Sequence, residues 1–178
     1  LEAGLIGVFC SVMIYDFTQR PFWNGIDTGL KFFGSTAILG LATDLATISL
    51  GGFMVETTER TAFFGVTLVR LLAVGTIAKL LVELKILATL RERVPSAQQR
   101  SAGLLVGALR PVLLTRIGLS LVGGLLLPAL WLHSDPASSF SVILGVAVAV
   151  TLTAAELAER YLFFSAVIAN RMPGGLTT

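Results

Sequence analysis

Met13-Ile14-Tyr15-Asp16-Phe17-Thr18-Gln19-Arg20-Pro21-Phe22-Trp23-Asn24 closes an apolar run that begins near Gly4. Within it Asp16, Thr18, Gln19, Arg20 and Asn24 are groups that seek water. Tyr15, Phe22 and Trp23 are rings of the kind that settle at the headgroup level of a bilayer. Arg20-Pro21 drives the chain out of helix, because a residue before proline is pushed toward extended conformations. The stretch reads as the end of a helix at a membrane surface. That reading sets the class: apolar helices joined by short polar turns.

Composition agrees. The chain is 54% hydrophobic and 13% charged, where a soluble domain is roughly a quarter charged. So much apolar surface cannot be hidden inside one water-facing globule of 178 residues, and the chain reads as a polytopic membrane protein. Cys10 is the sole cysteine and His133 the sole histidine. One thiol excludes an internal disulfide, a thiolate zinc site and an iron–sulfur cluster held by this chain alone. One imidazole excludes a bis-histidine haem within the chain. Leu1-Glu2 opens straight into apolar sequence with no basic segment before it. This is not the pattern of a signal peptide and reads as the middle of a longer chain.

A span needs ~20 apolar residues. On that ruler the sequence predicts an all-α transmembrane bundle forming one domain over 1–178, with five spans at about 1–15, 29–55, 61–90, 111–132 and 140–170. The first is short, as if its beginning lay upstream. The third exceeds what a bilayer needs and is expected to tilt or protrude. Arg91 to Ala102 is the most polar connection, and Gly103 to Arg110 reads as an extra turn or interfacial segment. Gly103 with Gly107, and Gly145 with Ala149, have the spacing that lets membrane helices approach closely.

The chemistry lies in charges inside the spans. Asp44, Arg70, Lys79, Glu83, Arg116, Glu156, Glu159 and Arg160 fall there, four acids and four bases. Each costs ~2.5–3.5 kcal/mol at mid-span unless it pairs away from lipid. Lys79 with Glu83, and Glu156 with Arg160, are four apart and share a helix face, the second pair in the better order. Asp44 has no base within a turn of its own helix and needs a partner from another, with Arg116 a candidate. Arg70 can snorkel toward the second connection. Two uses are open: buried pairs that fix helix register, or a polar lining for a quinone head group or proton path.

Three stretches carry a family resemblance. Cys10-Ser11-Val12-Met13-Ile14-Tyr15 with Arg20-Pro21-Phe22-Trp23, then Phe32-Phe33-Gly34-Ser35-Thr36-Ala37, then Ala155-Glu156-Leu157-Ala158-Glu159-Arg160-Tyr161-Leu162-Phe163-Phe164 resemble the DmsC family. Its members are membrane anchor subunits of dimethyl sulfoxide reductase and related molybdoenzymes. The chain departs from the pattern at Ala155 and Glu159, where the family tends to carry glycine. The resemblance implies the C-terminal part of an eight-span subunit in the bacterial inner membrane. It implies as partners an iron–sulfur electron-transfer subunit and a molybdopterin catalytic subunit, and menaquinol or ubiquinol as the bound membrane substrate of anaerobic electron transport. No nucleic-acid partner is expected. The family's quinol-site histidine and its acidic companion lie upstream of this chain, and His133 does not match them. Tyr15, Arg20, Trp23, Glu156 and Arg160 carry over as site-lining or structural positions. Asp44 joins them on its own evidence, and no metal or catalytic residue is expected.

Two other classes compete. A secondary transporter would also bury acids and bases, although it usually shows paired repeats with broken helices. A membrane scaffold would need no ligand. Orientation can be read from charge. Arg20, Lys31, Lys85, Arg91, Arg93, Arg100, Arg110 and Arg171 gather on one face of the alternating spans, against Arg60 on the other. Basic residues in short connections mark the cytoplasmic side, so the turns around Arg20 and Arg93 are expected in the cytoplasm. Family geometry would then put the partner subunits on the opposite side, as in polysulfide-reductase relatives.

Overall fold

Thr28, Lys31, Ser35, Ile38, Ala42, Leu45 and Ser49 repeat every three or four residues, and all seven are buried. This row makes the second helix the axis of the bundle. The structure is a computed structural model that describes residues 2–18, 23, 25–55, 58–88, 97–136 and 138–166, without the side chains of 55, 58–61, 86 and 97–101. The elements are α1 (Glu2–Asp16), α2 (Gly25–Val55), α3 (Thr58–Ala88), α4 (Ala97–Val106), α5 (Arg110–Leu121), a π segment (Val122–Leu126), α6 (Leu127–Leu132) and α7 (Ser139–Ser165). Among the described residues there is no strand.

Four helical stretches, not the five expected, are long and apolar enough to cross a membrane: Gly25–Met54, Ala62–Lys85, Arg110–Leu132 and Ser139–Ser165. The difference is α1. Its 15 residues rise only ~22 Å, short of a ~30 Å hydrocarbon core. α2 begins four residues earlier than expected, and α4 turns part of the expected third connection into helix. Arg20, Arg91, Arg93 and Arg171 lie outside the described residues.

α2 packs chiefly on α3 and α7, and α7 in turn on α5 and α6. Ile38, Ala42, Leu45, Val69, Leu72, Trp131, Leu144, Val148 and Leu152 form the apolar centre. Lipid tails are as apolar as these side chains, so close fit and hydrogen bonds must hold the helices together. Gly145 shows the fit: a Cβ there would lie 2.9 Å from Ser49 Oγ and 3.1 Å from Ala46 Cα. At Gly65 a Cβ would strike the Trp131 ring. Trp131 Nε1 donates to Ser49 Oγ at 2.8 Å, closing the α2–α6 contact.

The α5–α6 span carries one irregularity with an identifiable cause. Pro128 has no N–H to return to the preceding turn. The Val122–Leu126 segment widens to a π turn, and the Leu127 N–H bonds Val122 O. One such turn absorbs the proline without breaking the span. α7 starts cleanly because Ser138 Oγ accepts from the Ser141 N–H at 3.2 Å, a side-chain cap of the usual kind.

Candidate functional site: a buried ion network under an aromatic cluster

Lys31, Glu83, Arg116 and Glu159 lie five or six residues in from the described ends of α2, α3, α5 and α7. At 1.5 Å per residue they share a level ~8–9 Å inside one end of the bundle. Lys79 and Glu156 lie one helical turn deeper. A polar layer near one surface is cheaper to insert than the same charges at the midplane.

The layer is an interhelical network. Lys79 Nζ pairs with Glu156 Oε2, lies 2.5 Å from Glu159 Oε2 and donates to Ser35 Oγ at 2.9 Å. Arg116 pairs through Nη1 with Glu83 and through Nη2 with Glu159 at 3.3 Å. Glu159 is therefore shared by two bases. Ser35 Oγ accepts from Lys79 and, at 3.3 Å, from Arg160, and donates to Lys31 O at 2.8 Å. That uses its one hydrogen and both lone pairs. Arg116 Nε is buried with no hydrogen-bond partner among the described residues. Three carboxylates thus face Lys31, Lys79 and Arg116, which is how a group of charges survives away from water, while Arg160, joined through Ser35, also rests on the Phe32 ring.

Lys31, Glu83, Glu159 and Phe163 also line a cavity of about 30 Å³ with Leu87, Leu105, Leu113 and Leu162. Such a volume suits one or two waters, each needing two or more polar partners. It is far smaller than a quinone ring requires.

Beside the ions stands a cluster of rings. Tyr15 meets Trp23 edge-on with centroids 5.2 Å apart, Phe163 at 5.4 Å and Phe32 at 5.6 Å. Trp23 stacks on Phe163 at 5.6 Å and donates from Nε1 to Phe163 O at 3.3 Å. The Arg160 guanidinium lies 3.5 Å over the Phe32 ring. An arginine so placed keeps its charge on a π face rather than in lipid.

The residues singled out from the sequence divide accordingly, and the structure corrects several pairings. Tyr15, Trp23, Glu156 and Arg160 come together here; Arg20 lies outside the described residues. Asp44 is elsewhere, mid-helix on the exposed face of α2, and its suggested partner Arg116 is engaged by Glu83 and Glu159. Glu156 pairs with Lys79 and not with Arg160, and Glu83 pairs with Arg116 and not with Lys79. Each helix in the bundle interior has closer neighbours than its own next turn. Lys31, counted from sequence as a surface charge, is buried. Its signal was the 28–31–35 spacing that leads into the buried row of α2. Glu159, a position where the chain departs from the DmsC pattern, holds two bases together. Of the small-residue pairs, Gly145 is a true close approach, whereas a Cβ at Gly103 would meet nothing.

No protein-family model, no curated protein and no solved structure matches this chain.

Proposed function

We propose that the chain is an integral anchor subunit of a molybdoenzyme complex in a bacterial inner membrane, of the kind the DmsC resemblance implies. It would hold an iron–sulfur subunit and a molybdopterin catalytic subunit at the membrane and exchange electrons with menaquinol or ubiquinol. One observation carries the reading. The three stretches that bear the resemblance, far apart in the sequence, converge on one place: Tyr15 and Trp23, Phe32 and Ser35, and Glu156 to Phe164. Motifs far apart in the sequence thus gather around charges within the membrane-type helices.

The chemistry is compatible. A quinol oxidised to quinone releases two electrons and two protons. The electrons would pass to the iron–sulfur partner, and Glu83, which faces the water-sized cavity and pairs with one arginine, is placed to receive a proton. The ring itself would sit outside that cavity, toward the aromatic cluster. On this proposal the turns around Arg20 and Arg93 face the cytoplasm.

The test is purification of the tagged chain from native membranes. Co-purifying iron and molybdenum proteins, with quinone in the lipid extract, support the proposal. A chain that purifies free of both metals and quinone would overturn it. Within an assembled complex, Glu83→Gln, which leaves Arg116 paired with Glu159, should slow quinol oxidation at unchanged subunit stoichiometry; unchanged turnover would remove Glu83 from the proton path.

A further inference from the structure

Two charged side chains near mid-span take no part in the network. Asp44 on α2 and Arg70 on α3 are both exposed, and neither has an ion pair or hydrogen bond among the described residues. Both sit at mid-span. Asp44 is 11 residues from the end of α2, and Arg70 is 12 from the start of α3. Their depths match by the packing of the two helices. Lys79 passes Gly34 at 3.7 Å and Ile38 passes Gly75 at 3.6 Å. Six residues on from Ile38 is Asp44, and six back from Gly75 is Val69, next to Arg70. One acid and one base thus stand within ~1.5 Å of the same level.

They do not pair within one chain. Arg70 follows the buried Val69 by a 100° turn and shares its outer face with Val74 and Ile77, which are exposed. Asp44 lies three residues beyond Leu41 on the α2 flank of an open apolar groove of about 420 Å³, formed with Gly75, Ala78 and Val82 of α3. The groove offers no counter-ion. Lys79 reaches it only with its methylene stem, because its ammonium is spent on Ser35, Glu156 and Glu159. Each charge stands on the outer surface of a span, where an unpaired charge costs most in a bilayer.

We propose that the α2–α3 face is an interface with a second copy of this chain, in which Asp44 of each copy pairs with Arg70 of the other. A two-fold axis along the membrane normal keeps equal depths equal, so one rotation makes both pairs at once, as an isologous interface requires. Helices of the second copy then cover the apolar groove. Gly40 and Gly51, with no atom within 4 Å of a Cβ placed on either, and the exposed Thr43 and Thr47 let backbones approach on the Asp44 side.

The experiment is charge reversal in the full chain, with mass measured by light scattering in detergent and subunit counting in bilayers. Unaltered protein should be dimeric. Asp44→Arg alone and Arg70→Asp alone should each weaken self-association by at least about tenfold, since each turns two attractions into repulsions. Asp44→Arg mixed with Arg70→Asp should form a heterodimer, because both cross-pairs are then opposite in sign. The double variant should recover the homodimer. Circular dichroism of each variant checks that the bundle is intact. Monomeric unaltered protein overturns the proposal, including the case where another membrane segment covers this face. So does a dimer indifferent to both reversals, or the absence of the heterodimer between well-folded variants.

Discussion

Lys79 of α3 pairs with Glu156 of α7, 77 residues away, and not with Glu83 one turn along its own helix. The choice follows from what each side chain faces. Lys79 points to α7 and α2, and Glu83 points to Arg116 of α5. Local pairs on a solvated helix are worth only ~0.3–0.5 kcal/mol. An interhelical pair that removes two charges from lipid outcompetes them.

Glu159 should matter more than Glu156. Glu159→Gln removes the carboxylate shared by Lys79 and Arg116, leaving two cations with one acid each. A loss of ~3 kcal/mol is expected, the low end for a broken buried pair, because each cation keeps one acid. Glu156→Gln leaves Lys79 with Glu159, so ~1–3 kcal/mol is expected, the scale of one charged hydrogen bond. Denaturant unfolding in mixed micelles measures both. Equal losses would show that the charges act as independent pairs.

The Trp131–Ser49 bond gives an asymmetric pair of variants. Ser49→Ala leaves the buried Trp131 N–H without its acceptor and should cost ~1–2 kcal/mol. Trp131→Phe removes the donor and leaves Ser49 still bonded to Leu45 O at 2.7 Å, so its loss comes from ring volume instead. In the double variant the Ser49→Ala penalty should vanish. If that penalty is the same in both backgrounds, the bond contributes nothing to stability.

What the sequence disclosed is uneven, for physical reasons. The four long spans were legible because apolar length is a one-dimensional signal that needs no knowledge of neighbours. α1 was read as a span cut short, and its 15 residues fall below the length that crosses a bilayer by itself. The row Thr28, Lys31, Ser35 was legible in principle, since it continues the period of Ile38, Ala42 and Leu45, but Lys31 beside a helix start invites reading as a surface charge. The partners of Lys79, Arg116 and Arg160 were not legible. Each depends on which helices pack together, and helix order along a chain does not specify it. The π turn was equally hidden: Pro128 announces a disturbance, not its form.

Gly65 and Gly118 should respond oppositely to alanine. A Cβ at Gly65 would collide with the rigid Trp131 ring, whereas one at Gly118 meets no atom within 4 Å. Gly65→Ala should destabilise by ~1–3 kcal/mol, the scale of overpacking. Gly118→Ala should be neutral or stabilise by up to ~1 kcal/mol, because alanine is the better helix former. Thermal melts of the two variants decide the matter. A neutral Gly65→Ala would mean the α3–α6 contact is loose enough for Trp131 to swing away.

The proposed orientation can be tested with reagents chosen from the structure. Removing the buried Lys31 from the charge count leaves Arg20, Lys85, Arg91, Arg93, Arg100, Arg110 and Arg171 on one face against Arg60 on the other, so the bias survives. Exposed Cys10 must first become serine. On the α6–α7 turn Ser138 is a poor site for a reporter, because it caps α7 and its loss costs ~0.5–2 kcal/mol. His133 is exposed and offers a better one. In intact cells a membrane-impermeant maleimide should label His133→Cys and leave Ser96→Cys unlabelled until the cells are opened. On the proposed function a docked subunit would shield His133→Cys, so labelling is repeated on the chain expressed alone. Labelling of Ser96→Cys in intact cells would invert the protein in the membrane and place the α6–α7 turn, with any subunits docked there, in the cytoplasm.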